Sequence, residues 1–321
     1  MKKTLCSFVI ATLCSCFAFA DTVSHDNSTS DIVCKKNIKR SSVTVTEARE
    51  INGFHSIKVS DGIMAIVSQS DTWSVEVSAD KNLIDHVKTS KSGGILYISY
   101  NGIDRVNNVS RTIVRISCPE IRYIKANSAA DIMFKGTIRG EKIHADISSA
   151  ASFVGDIEYE TGKFQVSNAA DISLSGYCNE CKIITSSASE ISLEGTYQNL
   201  AISSSSSSCT AFLPHVKGNA LTINASSTAS FKGLVTYDTV AISTSSCAEV
   251  ILSGECHLCD IQASSGSKVN TTNMPSTICN VKATSASSVS VLSLESISAH
   301  TSQSAELRYV GTPSHIDIRE K

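Results

Sequence analysis

The stretch CKIITSSASEISLEG, Cys181 to Gly195, is written again as GKFQVSNAADISLSG at 162–176 and as VAISTSSCAEVILSG at 240–254. Looser copies lie before and after. The apolar residue that leads into each small-residue turn falls at Ile124, Ala145, Phe164, Ile183, Ile202, Ile223, Ile242, Ile261, Val281 and Ala299, in steps of 18 to 21 residues. The apolar residue after the turn keeps the same beat at Ile132, Phe153, Ile172, Ile191, Phe231, Val250, Val269, Val289 and Leu307, and the coil containing Ser203 to Ser208 is irregular there. A period of ~20 residues is the mark of a solenoid. The leucine and asparagine signature of leucine-rich repeats is absent. Each coil has room for two strands of ~5–6 residues and two connections, so equivalent positions stack ~4.8 Å apart on parallel strands. One coil cannot bury its apolar face alone, and stability comes from the stack. The period therefore predicts an all-β, single-stranded parallel β-helix with coils of about 19–20 residues.

That geometry accounts for the composition. Ile183, Ile191 and Leu193 point inward as aliphatic ladders, and turns such as SSA, NAA and SST need small side chains. The six serines 203–208 fall in the turn positions, which makes them turn residues rather than a catalytic cluster. Ahead of the repeat, residues 43–118 carry shorter strand-like segments with alternating apolar and polar residues, among them IMAIVSQ, WSVEVSA and ILYISY. Lys81 to Lys88 reads as a single helical turn or a loop, and Gly93 and Gly94 mark a tight turn. The regular repeats span 119–313, and the charged ending 314–321 reads as an edge cap that discourages further strand pairing.

The chain opens Met1, Lys2, Lys3, then an uncharged apolar run from Thr4 to Ala20 that closes on Ala18, Phe19, Ala20. This pattern predicts a signal peptide over residues 1–20 and export to the periplasm, the cell surface or the medium. Processing at Cys16 as a lipoprotein is the route by which a membrane would become a partner. Residues 21–42 are polar and without periodicity, which predicts a disordered tail. No heptad stalk or set of membrane strands follows the last coil. A net charge of -2 without a long basic stripe argues against nucleic acid. Of twelve cysteines, nine remain after residue 20, so oxidation leaves at least one unpaired within a monomer.

Candidate chemistry is sparse. The acidic residue after the turn recurs at Asp131, Asp171, Glu190, Glu249 and Glu306, and Asp171 with Glu190 falls in adjacent coils. Two stacked carboxylates offer oxygen ligands to a calcium ion, although no lysine or arginine recurs beside them. No G-x-S-x-G occurs, the S-x-x-K matches at 78–81 and 265–268 are expected by accident in so serine-rich a chain, and the eight histidines lack ligand spacing. No catalytic residue and no cofactor is expected. Cys178 with Cys181 and Cys256 with Cys259 form two C-x-x-C pairs four coils apart, ~19 Å by strand spacing, too far to share one zinc. Cys259 and Cys279 take the same position in neighbouring coils, at a separation inside the disulfide range. A structural bridge is therefore expected from Cys259 to Cys256 or to Cys279, with Cys178 and Cys181 as a further candidate pair.

The opening REINGFHSIKVSDGIMAIVSQSD, then SVEVSADKNLIDHVKTSKSGGILYIS, then repeats around small-residue turns, resembles the head GIN domain family of putative autotransporter adhesins over Arg49 to Gly311. The resemblance implies a right-handed parallel β-helix related in shape to pectin lyases, with GSG at the tight turns; here those turns read SAA, SSA, NAA, SAS and SSC. It further implies a non-enzymatic adhesin or envelope binding protein whose partner is a glycan or a protein. The competing expectations are a pectin-lyase-like carbohydrate-active enzyme and an envelope scaffold that polymerises end to end.

Overall fold

The computed structural model describes residues 36–38, 41, 43–106 and 111–320. The expected signal peptide, Cys16 and most of the polar stretch 21–42 lie outside the described residues.

The repeat period becomes a stack of parallel strands. Ile124, Ala145, Phe164, Ile183, Ile202, Ile223, Ile242, Ile261, Val281 and Ala299 occupy one row, each the in-register partner of the next. The result is an all-β parallel solenoid of about 10 turns with ~19 residues per turn. Within each coil the expected pair of short strands runs together as one extended segment bent around a corner, as in Asp171–Thr185 and Glu190–Ser204. Inward positions alternate with outward ones along each segment, the burial pattern expected of a strand with one face in the core.

Tight turns link the coils, and each contains two successive residues with positive φ, such as Ala169 with Asn168 and Ala188 with Ser187, at 56° to 59°. In the left-handed region each non-glycine residue costs about 1 kcal/mol or more. The stack offsets this, because the second turn residue of each coil donates its N–H to the carbonyl of the first in the next. Ala169 to Ser187, Ala188 to Ser206, Ser207 to Ser227 and Thr228 to Ser246 bond in this way at 2.9 to 3.1 Å. At the opposite corner the constraint is steric. Gly195 has φ +116°, and a Cβ there would stand 2.2 Å from the Gly176 carbonyl oxygen, so the repeated motif must end on glycine.

The irregular coil places Thr210 where its neighbours carry Ile191 and Phe231. The side chain fits because threonine has the shape of valine, but its Oγ1 is buried without a hydrogen-bond partner. At an inner corner, large and small residues alternate from coil to coil as Gly140, Tyr159, Cys178, Tyr197, Gly218, Tyr237 and Cys256, until Ser276 places a second small residue beside Cys256. A Cβ on Gly140 or Gly218 would lie 2.6 or 2.7 Å from the ring of Tyr159 or Tyr237. Tyr159 donates its hydroxyl to the Ile121 carbonyl at 2.8 Å, whereas the Tyr237 hydroxyl is buried without a partner.

The first coils are mixed. Ser56–Val59 joins Tyr123–Ala126 and Ile95–Tyr100 in parallel, while Val87–Ser92 folds back antiparallel on Ile95–Tyr100 around Gly93 and Gly94. Ser74–Asp80 likewise lies antiparallel between Ile113–Cys118 and Thr44–Ala48. Ile84–His86 is a single 3₁₀ turn within the segment expected to be a helical turn or a loop. Within the stretch expected to lack regular structure, Lys36–Ile38 forms a short strand beside Ile103–Val106, since an open strand edge offers unpaired backbone groups. His315–Glu320, expected as an edge cap, pairs in parallel with Ser296–Thr301. No helix among the described residues is long and apolar enough to cross a membrane.

The orphaned hydroxyls give opposite signs for two kinds of substitution. Thr210→Val and Tyr237→Phe each remove an unpaired buried oxygen and are expected to raise unfolding stability by about 1 kcal/mol, while Tyr159→Phe removes a satisfied bond and lowers it by about 1 kcal/mol. Urea unfolding of the three variants checks this, and destabilisation by all three would contradict the assignment.

Candidate functional site

Just before each tight turn the strand presents one residue outward, buries the next and brings the third to the surface at the turn. Stacking converts this local pattern into two parallel rows. The outward row is Ile184, Ser203, Asn224, Ser243, Gln262 and Lys282, each in register with the next. The turn row is Ser186, Ser205, Ser226, Ser245, Ser264 and Thr284. Between them lies a groove of about 510 Å³ that crosses six coils, with Thr185, Ser204, Ala225, Thr244 and Ala263 as its floor.

The polar groups of the groove divide into those the fold uses and those it leaves available. Backbone N–H groups of the turn row are spent on the preceding coil, as in Ser205 to the Thr185 carbonyl at 3.1 Å and Ser245 to the Ala225 carbonyl at 3.0 Å. Buried hydroxyls of the floor satisfy one another: Thr185 Oγ1 pairs with Ser204 Oγ at 2.7 Å and donates to Ser208 Oγ at 2.9 Å. Thr244 Oγ1 does the same with Ser267 Oγ at 2.8 Å. Within the serine run, Ser204 and Ser208 are thus internal turn ties, Ser206 and Ser207 hold the left-handed positions, and Ser203 and Ser205 face the groove. The groove presents hydroxyl and amide groups at coil spacing, suited to repeated hydrogen bonding with an extended polar chain.

The acidic residues after the turn also form a row. Asp171 and Glu190 are in-register neighbours. Like charges on neighbouring strands oppose each other. Partial burial first, and the Glu190 carboxylate second, hold the Asp171 carboxyl above its ordinary pKa. Elsewhere in the row the fold supplies partners: Arg111 and Ser152 contact Asp131, and Lys232 and Lys268 reach Glu249 at 3.3 and 3.5 Å. Among the described residues no group of three or more His, Cys, Asp or Glu side chains is arranged to hold a metal ion.

The C-x-x-C residues occupy the inside of a corner. Cys178 and Cys181 are buried there, and the Cys178 thiol donates to the Glu180 carbonyl at 3.4 Å. Four coils away Cys256 and Cys259 take the same two inner positions, with Cys279 directly in register with Cys259. All eight described cysteines are thiols.

Because the Asp171 pKa is raised on folding, its effect on stability is nil below the unfolded aspartate pKa and becomes a penalty as pH rises through the folded value. Asp171→Asn is therefore expected to raise the melting temperature near pH 7 and leave it unchanged near pH 3, by differential scanning calorimetry at both pH values. An equal melting temperature for both proteins at neutral pH would rule out a carboxylate repulsion at this position.

No curated protein matches the chain. Among solved structures, a putative adhesin from Parabacteroides distasonis ATCC 8503 is similar over 88% of this chain and 100% of that one, with 15% sequence identity and a TM-score of 0.52. Another putative adhesin, from Parabacteroides merdae ATCC 43184, is similar over 88% of this chain and 99% of that one, at 13% identity and a TM-score of 0.49. The first of these likenesses supports the fold. The family model described as "Putative auto-transporter adhesin, head GIN domain" matches residues 53–196 and again 193–313, and together these segments place nearly all of the solenoid within one family. The chain belongs to the head GIN domain family of putative auto-transporter adhesins.

Proposed function

We propose that the protein is an exported, non-enzymatic adhesin or envelope binding protein that presents the repeated surface of its solenoid to a glycan. The observation that carries this reading is the groove of about 510 Å³ whose rows repeat polar groups at every coil. A linear saccharide lying along the solenoid axis meets one hydroxyl or amide after another, and many weak contacts add up when a chain engages them together. The hydroxyls of Ser186, Ser205, Ser226 and Ser245 make no hydrogen bond to another described side chain or carbonyl, so forming bonds to a sugar does not require breaking bonds within the fold. Family membership supports the adhesin reading, and the family description names no enzyme activity. The right-handed sense of the coil and the expected route of export belong to this same reading.

Binding of the purified chain to an array of neutral and acidic oligosaccharides tests it. Ser205→Arg combined with Ser245→Arg fills the groove and is expected to weaken binding about tenfold or more, a change of about 1.4 kcal/mol, with an unaltered circular dichroism spectrum. Absence of binding to every sugar, or release of shortened products from a bound polysaccharide, would overturn the proposal.

A further inference from the structure

The outward row of the groove continues through Gln165 and Asp146 toward the first coils, and there it becomes charged. Tyr97, Lys58 and Lys125 stand side by side on neighbouring parallel strands. The row two residues earlier brings Tyr123 next to His144 and, further along, Lys163 next to Lys182. Lys58–Lys125 and Lys163–Lys182 are thus two like-charge pairs at strand spacing, an arrangement that costs stability unless something neutralises it. None of the four ammonium groups forms an ion pair with a described residue.

The carboxylates set among them are already engaged: Glu180, which lines a hollow with Lys163 and Lys182, accepts a hydrogen bond from the Asn199 side-chain amide at 2.6 Å. Asp146 follows Lys125 in the row, but its Oδ2 accepts a hydrogen bond from the Tyr123 hydroxyl at 2.7 Å and its Oδ1 faces His144 Nε2 at 2.9 Å. Lys58 is held instead by aromatic faces, with Nζ 5.2 Å from the centroid of Tyr97 and 5.8 Å from that of Tyr123, a contact that orients the cation without cancelling its charge. Lys58, Tyr97 and Lys125 line a hollow of about 260 Å³, which Ser60, Ser99 and Asn127 edge with neutral polar groups. The chain as a whole carries a net charge of -2, so this face is a local departure from the rest of the surface.

We propose that this face binds the acidic residues of a carboxylated or sulfated polysaccharide, with Lys58 and Lys125 meeting an anionic group and Ser60, Ser99 and Asn127 meeting sugar hydroxyls. The proposal rests on the glycan-binding reading and specifies the ligand class. Two lysine pairs set apart along the axis match anions that recur along a polymer, and the row carries the same polymer onward into the hydroxyl-lined groove. The aliphatic residues at the hollow, Val59 and Ile98, are buried in the core at 2% exposure and project no apolar wedge toward a bilayer, which favours a glycan over an anionic lipid surface.

The test is surface plasmon resonance of the full chain over immobilised chondroitin sulfate, polygalacturonate and neutral dextran, with phosphatidylglycerol vesicles in a separate channel. Binding is expected to at least one acidic polysaccharide, falling as salt is raised from 50 to 500 mM, since exposed charges are screened. Lys58→Gln with Lys125→Gln is expected to weaken it about tenfold while neutral-sugar binding through the groove persists; Lys125→Gln alone, which disturbs no internal contact, is expected to give a smaller loss in the same direction. Unchanged affinity in both variants, or binding to vesicles alone, would overturn the acidic-sugar assignment. Neutral-sugar binding without acidic preference would overturn it while leaving the glycan-binding reading intact, and no binding to any sugar would remove both.

Discussion

The backbone hydrogen bond from one tight turn to the next is the interaction on which the solenoid depends. A pair of consecutive left-handed residues is unfavourable for alanine, serine or threonine, and an isolated coil would relax it. In the stack, the same conformation points one N–H and one carbonyl along the axis, so Ala169, Ala188, Ser207 and Thr228 each meet the coil that follows. Turn geometry and stacking are therefore one cooperative event. Glycine at these positions would avoid the strain altogether, whereas this chain uses side chains small enough to tolerate it. Thr228 recovers part of the cost locally, since its Oγ1 bonds both the Ser227 carbonyl at 2.6 Å and Ser207 Oγ at 2.8 Å.

Strict stacking has an electrostatic consequence. Whatever residue type occurs at a given phase is brought beside the equivalent residue of the next coil, so a charge in two adjacent copies faces its like at strand spacing. At Glu249 the fold resolves the problem by alternating sign, with Lys232 and Lys268 on either side. At Asp171 and Glu190 it does not, and the raised Asp171 pKa records the result. At Lys58 and Lys125 aromatic rings hold one ammonium while the charge stays unbalanced. Repetition thus makes two products from the same arithmetic, a hydroxyl-lined groove where the copies are serine and a charged platform where they are lysine.

Much of this was legible in the sequence because the period was. The inward row from Ile124 to Ala299 and the Cys259–Cys279 alignment follow from counting residues and match the observed pairing. The break at the serine-rich coil was also visible, although only packing shows that Thr210 enters the core in place of an aliphatic residue. The lysine and tyrosine face was hidden for a definite reason. Lys58 and Lys125 lie 67 positions apart, and the strands between them leave the repeat phase to fold antiparallel on one another. Periodicity carries information only where the chain is periodic, and the first coils are not. The long bent strands differ from the expected pair of short ones because the outer corner is turned by glycine with its ladder intact, without a separate loop.

The alternation of tyrosine with glycine or cysteine at the inner corner limits how such a chain can change length. Gly140, Tyr159, Cys178, Tyr197, Gly218, Tyr237 and Cys256 repeat with a period of two coils, although the backbone repeats with a period of one. Within this stretch, copying or deleting a single coil can set ring against ring, which a close-packed interior tolerates poorly. Copying two coils together preserves the alternation. Between Gly140 and Cys256, a change of two coils is the one that keeps side-chain volumes matched, a parity imposed on an architecture whose backbone has none.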